Sequence, residues 1–179
     1  MWLALKTRSR HEAVASLSLA ARGWETFLPT CPTRRRWSDR VKVAHLPLFP
    51  GYLFLRPHSP FLRPVLDAPG VTSFVSFGGR PAPIPDAEIE ALQRLAASGL
   101  AASDYPFPRA GDRVRIRAGS LEGVEGLLLK VRNQWRLVLR VELLQRAVSV
   151  EIDRELVEPL PQGNPFRLAP PPEFLMVAS

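Results

Sequence analysis

Few residue types that support catalysis or metal binding occur in this chain, and they lie far apart in the sequence. The histidines are His11, His45 and His58, and they lack the spacing of metal ligands. The single cysteine, Cys31, excludes an internal disulfide and a two-thiolate metal site. Because these residues supply no nucleophile, base and stabilising group together, the sequence predicts a protein that is not an enzyme, with no catalytic residue, metal or cofactor.

Glycine spacing is the next candidate for a chemical site. Gly119, Gly123 and Gly126 follow one another at intervals that fit neither a dinucleotide-binding nor a phosphate-binding loop. A strand pattern follows them instead of a helix pattern, so these glycines are interpreted as turns between short strands.

Basic side chains provide a different chemistry, which is contact with a polyanion. The formal net charge is +7. Residues 1–63 contain eleven lysines and arginines against three acids, so their net charge is 11 − 3 = +8 and the remainder carries 7 − 8 = −1. This distribution favours a nucleic-acid partner for the first part of the chain, but the same charges are also typical of a solvated surface.

The composition is typical of a soluble protein inside the cell. Apolar residues make up 46% and charged residues 23% of the chain, which indicates a folded globular protein. No apolar run is long enough to cross a membrane, and the N-terminus lacks the pattern of a secretory signal. A lone cysteine fits a reducing compartment, so we expect a cytoplasmic protein without a membrane partner.

Hydrophobic periodicity predicts a sheet with two helices in the first hundred residues. Ser9 and Glu12 have the spacing of a capping box that starts the first helix, which Gly23 would end. Asp86 can cap the second helix, with Gly99 as its terminator. The apolar face of the first helix is Val14, Leu17 and Ala21, and that of the second is Ile89, Leu92, Leu95 and Ala96. Strands are predicted over residues 2–6, 24–28, 40–44, 52–55 and 71–77, with a basic loop over 30–39.

The predicted fold class is α+β, with two domains. Residues 1–98 would form an N-terminal α/β sandwich, in which helices cover an antiparallel sheet. Residues 99–108, with several prolines and little periodicity, are interpreted as a linker. Residues 109–160 alternate polar and apolar residues between glycine-containing turns, which predicts a small SH3-like β-barrel. A proline-rich tail follows over residues 161–179.

One pattern in the second domain remains ambiguous. Leu137, Val141, Leu144 and Val148 also fit one face of a helix, and periodicity alone does not distinguish the two structures. A change of fold in this domain is therefore an open alternative.

Several segments, in this order, resemble the NusG family. They are Trp2–Thr7, Pro47–Phe54, Gly70–Val75 and Pro83–Pro85 in the first domain, and Gly111–Ile116, which is similar to a KOW motif, in the second. The resemblance covers residues 1 to about 160 and implies an NGN-type first domain joined to a KOW barrel. The sequence of residues 37–40 and 47–50 is similar to that of the specialised RfaH and UpxY groups, which act on particular operons.

The resemblance implies a transcription elongation or antitermination factor that binds the clamp helices of the largest RNA polymerase subunit and promotes processive elongation. Prolines at 47 and 50 would restrict their turn to a sheet edge, so Phe49 is expected to be exposed as an anchor for this partner. Ile89 and Leu92 fit the protein core and the interface equally well. The predicted polymerase-binding residues are Trp2, Leu48, Phe49, Pro50, Tyr52, Ile89 and Leu92.

Further partners follow from the same resemblance. The non-template DNA strand would be contacted through its phosphates. The KOW domain would bind a small-subunit ribosomal protein or the termination factor Rho, and the protein is expected to be a monomer. The predicted nucleic-acid-binding residues are Lys6, Arg8, Arg10, Arg34, Arg35 and Arg36.

The chain departs from the RfaH pattern at two places. Leu46 replaces a carboxylate that, in RfaH-type proteins, pairs with an arginine of the second domain and holds that domain in a helical, masking form; Arg136 is the basic candidate here. Residues 61–63 replace a His-Thr-Thr stretch that contacts polymerase. The alternative function is an RNA- or ribosome-binding KOW module acting in translation, although residues 109–160 carry only 10 − 8 = +2.

Overall fold

The computed structural model describes residues 1–37, 40–108 and 111–161, with the backbone alone for residues 33–43. The predicted tail after residue 161 lies outside the described residues. Within them, no helix is both long and apolar enough to cross a membrane. The helices are α1 (Glu12–Ala21), α2 (Arg63–Leu66) and α3 (Asp86–Ser98), with 3-10 turns at Glu142–Leu144 and Arg154–Leu156.

Strands form most of the fold. Those of the first part are β1 (Trp2–Thr7), β2 (Glu25–Phe27), β3 (Thr30–Trp37), β4 (Arg40–Pro47), β5 (Tyr52–Arg56), β6 (Val71–Phe74), β7 (Ser76–Phe77), β8 (Arg80–Pro81) and β9 (Pro83–Ile84). Those of the second are β10 (Ala102–Tyr105), β11 (Asp112–Ile116), β12 (Glu125–Val131), β13 (Gln134–Val141), β14 (Arg146–Glu151) and β15 (Val157–Pro159). The predicted α+β class is confirmed.

Strand β1 is the centre of the first sheet. The strands lie in the order β2-β5-β1-β6, with β9 also paired to β1, and every pairing is antiparallel. Successive side chains of a strand point to opposite faces, and β1 is apolar on both. Leu5 packs on one face with Ala15 and Leu19 of α1, whereas Trp2 and Ala4 face the opposite side. The sheet therefore needs an apolar cover on each face.

Helix α1 covers one face, but with a different set of residues from the one predicted. It begins at Glu12 with His11 as N-cap and no side-chain cap, so the predicted capping box from Ser9 is wrong. The side chain of Glu12 is buried and accepts a hydrogen bond from the backbone N–H of Gly51 at 2.7 Å. The predicted apolar face is also wrong, because Leu17 is 73% exposed. The outward side of α1 is apolar as well, so composition could not separate its two faces.

A β-hairpin replaces the basic loop predicted over residues 30–39. Strands β3 and β4 pair from Thr30 opposite Pro47 to Trp37 opposite Arg40 and form a separate two-stranded sheet. Cys31, near the base of this hairpin, is buried. Burial raises the pKa of the Cys31 thiol, and a hydrogen bond with the backbone of Ala102 partly offsets this. The hairpin therefore touches the start of the second sheet.

The second sheet has the strand order β10-β14-β13-β12-β11-β15, again antiparallel throughout. Its first strand lies inside the stretch that was predicted as a linker, because Ala102 pairs with Val150 and Tyr105 with Ala147. The helical alternative for residues 137–148 is not adopted. Those residues form β13, a 3-10 turn and β14, and the side chains of Leu137, Val141 and Val148 are buried.

The glycines of the second sheet have two roles. Gly119 and Gly123 lie in the turn between β11 and β12 with φ of 91° and 78°, the left-handed region that glycine adopts without strain. Gly126 lies inside β12 instead of in a turn. A Cβ there would come within 2.9 Å of the backbone oxygen of Val138, so Gly126 allows close approach of the neighbouring strand.

The unexpected role of Glu12 gives a test of the first domain. We expect Glu12→Ala to lower the free energy of unfolding by about 1–3 kcal/mol, because the half-buried backbone N–H of Gly51 loses its acceptor. Ser9→Ala is the matched control and should change it by less than about 0.5 kcal/mol, since Ser9 caps nothing. Urea denaturation of both variants measures this, and equal losses of stability would support a capping role for Ser9.

Candidate functional site

Most of the predicted polymerase-binding residues lie in one apolar cluster that both parts of the chain share. We refer to it as the shared cluster. Pro50 is exposed and Tyr52 is half-buried at its margin. The members from the first part are Trp2, Ala4, Cys31, Leu48, Phe49, Phe54, Ile84, Ile89, Leu92 and Leu95. Those from the second are Val114, Ile116, Leu121, Val124, Leu128, Leu137, Leu139, Val141, Val148 and Val150.

Phe49 is not the exposed anchor that the sequence predicted. Only 1% of its surface is accessible, and its ring packs edge-on against Phe54 with 6.0 Å between centroids. The proline-containing turn folds back over the sheet, since Leu48 donates a backbone hydrogen bond to Pro29 at 2.8 Å and Tyr52 donates one to Phe49 at 3.1 Å. The prediction of an exposed Phe49 is therefore wrong for this arrangement of the chain.

Ile89 and Leu92 are also fully buried, on the face of α3 that points into the shared cluster. Helix α3 contacts β13, and β9 contacts the 3-10 turn at Glu142–Leu144. Gly99, with φ of 69°, ends the helix as predicted. The second sheet thus covers the side of the first sheet that α1 leaves open.

Three polar contacts border this cover. The guanidinium of Arg94 on α3 donates to the backbone oxygen of Glu122 at 2.5 Å. The backbone N–H of Glu142 donates to the Glu88 carboxylate at 3.3 Å. On the other side, the Arg146 guanidinium lies 5.8 Å from the centre of the Tyr52 ring, a cation–π distance. Each is a single contact near the surface, so none can hold the two parts together alone.

A cavity of about 380 Å³ lies between α3 and strands β12 and β13. Its walls are mostly charged or small residues, and among them are Glu88, Arg94, Arg113, Gly126 and Arg140. The cavity opens to solvent, so side chains of the two parts do not pack together along this side. Incomplete packing makes this boundary easier to separate than a true domain core.

Glu88 is the titratable group at this boundary. Burial raises the pKa of its carboxyl from 4.5 to about 7, and repulsion from the Glu142 carboxylate adds to the rise. The backbone N–H of Glu142 and the charge of Arg140 act in the opposite direction. Sequence reasoning missed Glu88 and Arg94, because a charged residue beside an apolar helix face gives no signal that a second domain will cover it.

The predicted nucleic-acid-binding residues fall into two groups. Lys6, Arg8 and Arg10 are exposed at the end of β1 and in the loop before α1. The backbone N–H of Arg8 donates to Gly70 just before β6 at 2.8 Å, so this group lies beside the edge strand. Residues 34–36 lie on β3 of the separate hairpin, and their side chains are outside the described part.

Metal chemistry finds no support in the described ranges. Within residues 1–37, 40–108 and 111–161, no three His, Cys, Asp or Glu side chains come together in a way that could hold an ion. The arrangement supports binding through an apolar face and a basic edge.

The chain is similar to proteins of one transcription family. The family described as "Transcription termination factor nusG" matches residues 1–93. A "Transcription termination/antitermination protein NusG" from Borreliella burgdorferi is 27% identical over 134 residues, which cover 68% of this chain and 72% of that protein. The Thermus thermophilus protein of the same description is 29% identical over 132 residues, covering 66% and 70%. The solved "Crystal Structure of MjSpt4:Spt5 complex conformation A" has a TM-score of 0.31 and 15% identity over 89% of this chain and 98% of that chain.

The raised pKa of Glu88 predicts a pH-dependent stability. The folded chain binds this proton more tightly than the unfolded chain, so the stability that Glu88 contributes is fully present at low pH and is lost as pH rises from about 4.5 to about 7. The expected loss is roughly 1–3 kcal/mol, since one pKa unit is worth about 1.4 kcal/mol. Urea unfolding between pH 4.5 and 8 measures it.

Glu88→Gln should flatten this part of the profile, because glutamine keeps the acceptor for Glu142 without titrating. Glu90→Gln, an exposed change on the same helix, is the control and should leave the slope as in the wild type. A Glu88→Gln profile that is parallel to wild type would contradict the assignment.

Proposed function

Because the chain belongs to the NusG family, we propose that it is a transcription termination/antitermination factor that binds RNA polymerase and promotes processive elongation. The names of the relatives support the role in transcription. The observation that carries the binding proposal is the apolar face of β1, α3 and the Phe49 turn. Side chains of this face and of the second part belong to one buried cluster.

The partner that fits this face is a helical one. An amphipathic helix or helical hairpin can lay its apolar side into a groove formed by a sheet and a helix. Phe49, Ile89 and Leu92 would provide the anchors, and aromatic residues supply much of the affinity in such contacts. The clamp helices of the largest polymerase subunit have this shape, and we propose them as the target.

Binding through this face requires the barrel to move away from it. In the closed form the shared cluster is filled by residues of the second part, so the polymerase and the barrel compete for the same surface. Separation costs apolar burial, which the polymerase contact would restore. The polar contacts of Arg94, Glu88 and Arg146 are few, so they shift the equilibrium between the closed and open forms without holding the chain closed.

The two-domain division at 1–98 and 109–160 is part of this proposal, with β10 from the predicted linker added to the second domain. A barrel released from α3 would expose its own apolar side and become available to a second partner, a small-subunit ribosomal protein or Rho. The chain would act as a monomer, on general or operon-specific targets, in the cytoplasm.

The basic edge at Lys6, Arg8 and Arg10 would contact DNA beside the polymerase. These side chains are exposed and adjoin β6, so a single strand could follow the sheet edge. Contacts of this kind are made mainly to phosphate and depend strongly on salt. We propose the non-template strand as the nucleic acid.

Loosening the cover should increase polymerase binding. Arg94→Ala removes the bond to the Glu122 carbonyl, a loss of about 1 kcal/mol for a partly exposed charged donor. The open form would then be about fivefold more populated. In a pull-down with purified RNA polymerase, Arg94→Ala should therefore capture about fivefold more at limiting concentration.

Arg117→Ala is the matched control. Arg117 donates to the backbone oxygen of Glu155 at 2.5 Å, the same chemistry but within the barrel. It should capture polymerase as the wild type does. Adding Tyr52→Ala to Arg94→Ala should abolish the gain, because the loss of an aromatic contact residue outweighs the loss of its exposed cation–π contact with Arg146. Capture by neither Arg94→Ala nor wild type would refute polymerase binding, and equal capture would refute the masking alone.

The basic edge predicts a specific salt dependence. Each phosphate contact contributes about 0.7 to the slope of log affinity against log salt for single strands. The double variant Lys6→Ala/Arg8→Ala should therefore reduce the slope by about 1.4, measured by fluorescence anisotropy with single-stranded DNA. Arg113→Ala, whose side chain is paired with Glu125, should leave the slope unchanged. An unaltered slope in the double variant would remove Lys6 and Arg8 from the site.

A further inference from the structure

A small hairpin projects from the edge of the first sheet and carries an exposed aromatic ring. Strands β7 and β8 pair only with each other, with Ser76 opposite Pro81 and Phe77 opposite Arg80. Phe77 is 85% exposed, the highest value among the large apolar side chains of the described residues. No packing within this fold accounts for such a ring in water.

The turn of the hairpin leaves that ring open. Gly78 and Gly79 have φ of 58° and 77°, which suits the left-handed two-residue turn of a hairpin. Nothing lies within 4 Å of the position where a Cβ would be on either glycine. Flat molecules can therefore approach the Phe77 ring past the turn without meeting another side chain.

A cation stands next to the ring. Residues directly opposite in a strand pair project to the same face, so Arg80 and Phe77 share one side of the hairpin. Arg80 forms no ion pair with any described residue. The sequence between Asp67 and Asp86 contains no acid, so the local charge is positive.

The hairpin continues the edge that carries the basic group. Val75 donates a backbone hydrogen bond to Ala4 at 2.8 Å, and Ala82 donates one to Val75 at 3.1 Å, which fixes the hairpin base to β1. Lys6 pairs with Ser73 on the neighbouring β6. At about 3.3 Å per residue, Phe77 lies up to roughly 13 Å along the chain from Ser73.

We propose that the β7–β8 hairpin binds single-stranded nucleic acid, with a base stacked on Phe77 and a phosphate bound by Arg80. An aromatic side chain beside an arginine is the usual combination for strands recognised without strong sequence preference. A protein partner is less suited to this surface, because stable interfaces bury about 800 Å² on each side. The other residues of the hairpin, from Ser76 to Pro81, are small, polar or proline.

The proposal rests on the function proposed above, because it extends the phosphate contacts of Lys6 and Arg8 to a base contact. It also sets a minimum length. A strand that reaches both Lys6 and Phe77 must span several nucleotides, within the range of about 4–16 that such sites cover. A dinucleotide should bind much more weakly than a longer strand.

Anisotropy titrations of the full-length chain with labelled oligothymidylate, oligouridylate and a DNA duplex test this proposal. We expect Phe77→Ala to weaken single-strand binding by about tenfold, as for loss of one stacked base. Phe77→Trp should restore binding, and Arg80→Gln should weaken it with a smaller salt slope. Phe61→Ala is the matched control, since Phe61 is 66% exposed elsewhere on the surface. Comparison of DNA and RNA strands identifies the natural class.

Several outcomes would overturn the inference. Phe77→Ala and Phe61→Ala could bind with equal affinity while Lys6→Ala/Arg8→Ala loses binding. That result would exclude the hairpin from the binding site and retain the phosphate contacts. Preference of the wild type for duplex over single strands would exclude stacking. If Phe77→Ala lowered polymerase capture and left oligonucleotide affinity unchanged, the hairpin would be a protein contact. Thermal unfolding should be unchanged in Phe77→Ala, because the ring packs on nothing.

Discussion

The burial of both faces of β1 is the constraint on which this fold depends. A central strand that is apolar on each side must be covered twice, because exposed apolar area costs roughly 25 cal/mol for each Å². Helix α1 covers the side of Leu5 with a few small and aliphatic residues. The side of Trp2 and Ala4 is closed by α3 together with residues of the second sheet. The two parts therefore depend on each other for burial.

This dependence connects stability with binding. A surface that drives the two parts together is chemically the same as one that attracts a helical partner, since both rest on non-directional apolar contact. Discrimination between the second sheet and a helical partner must come from the polar contacts at the edge of this surface. There the Glu88 carboxylate is half-buried near Glu142, and an open cavity lies beside α3. With so few polar contacts at this margin, a helical partner could replace the second sheet on the apolar face.

The sequence predicted the elements better than their partners. The alternation in Asp112–Ile116 and the left-handed stop at Gly99 depend on neighbouring residues alone, and both were predicted correctly. The buried face of α1 was not, because Val14 and Leu17 are as apolar as the residues that pack inward. Phe49 lies in a buried cluster with residues that are distant in the chain, such as Ile89 and Leu92. Periodicity carries no information about contacts of that kind.

The candidate site was predictable in its composition but not in its accessibility. The basic residues at the end of β1 lie together as an exposed group, which follows from the position of Lys6 and Arg8 around a strand end. The sequence pattern predicts one strand over residues 71–77, because Val75 continues the apolar pattern. It therefore does not reveal the hairpin that carries Phe77. The backbone of Val75 instead joins Ala4 and leaves the following residues free to form a turn.

The position of Cys31 has a practical consequence. It is the only thiol of the chain, it is 1% accessible, and it lies in the shared cluster where β3 meets the start of the second sheet. A thiol in this position is expected to react with an alkylating reagent only after the hairpin or the second sheet moves away, so its rate of modification would measure local opening at this boundary. Cys31 is therefore a natural chemical probe of opening at the boundary between the two parts.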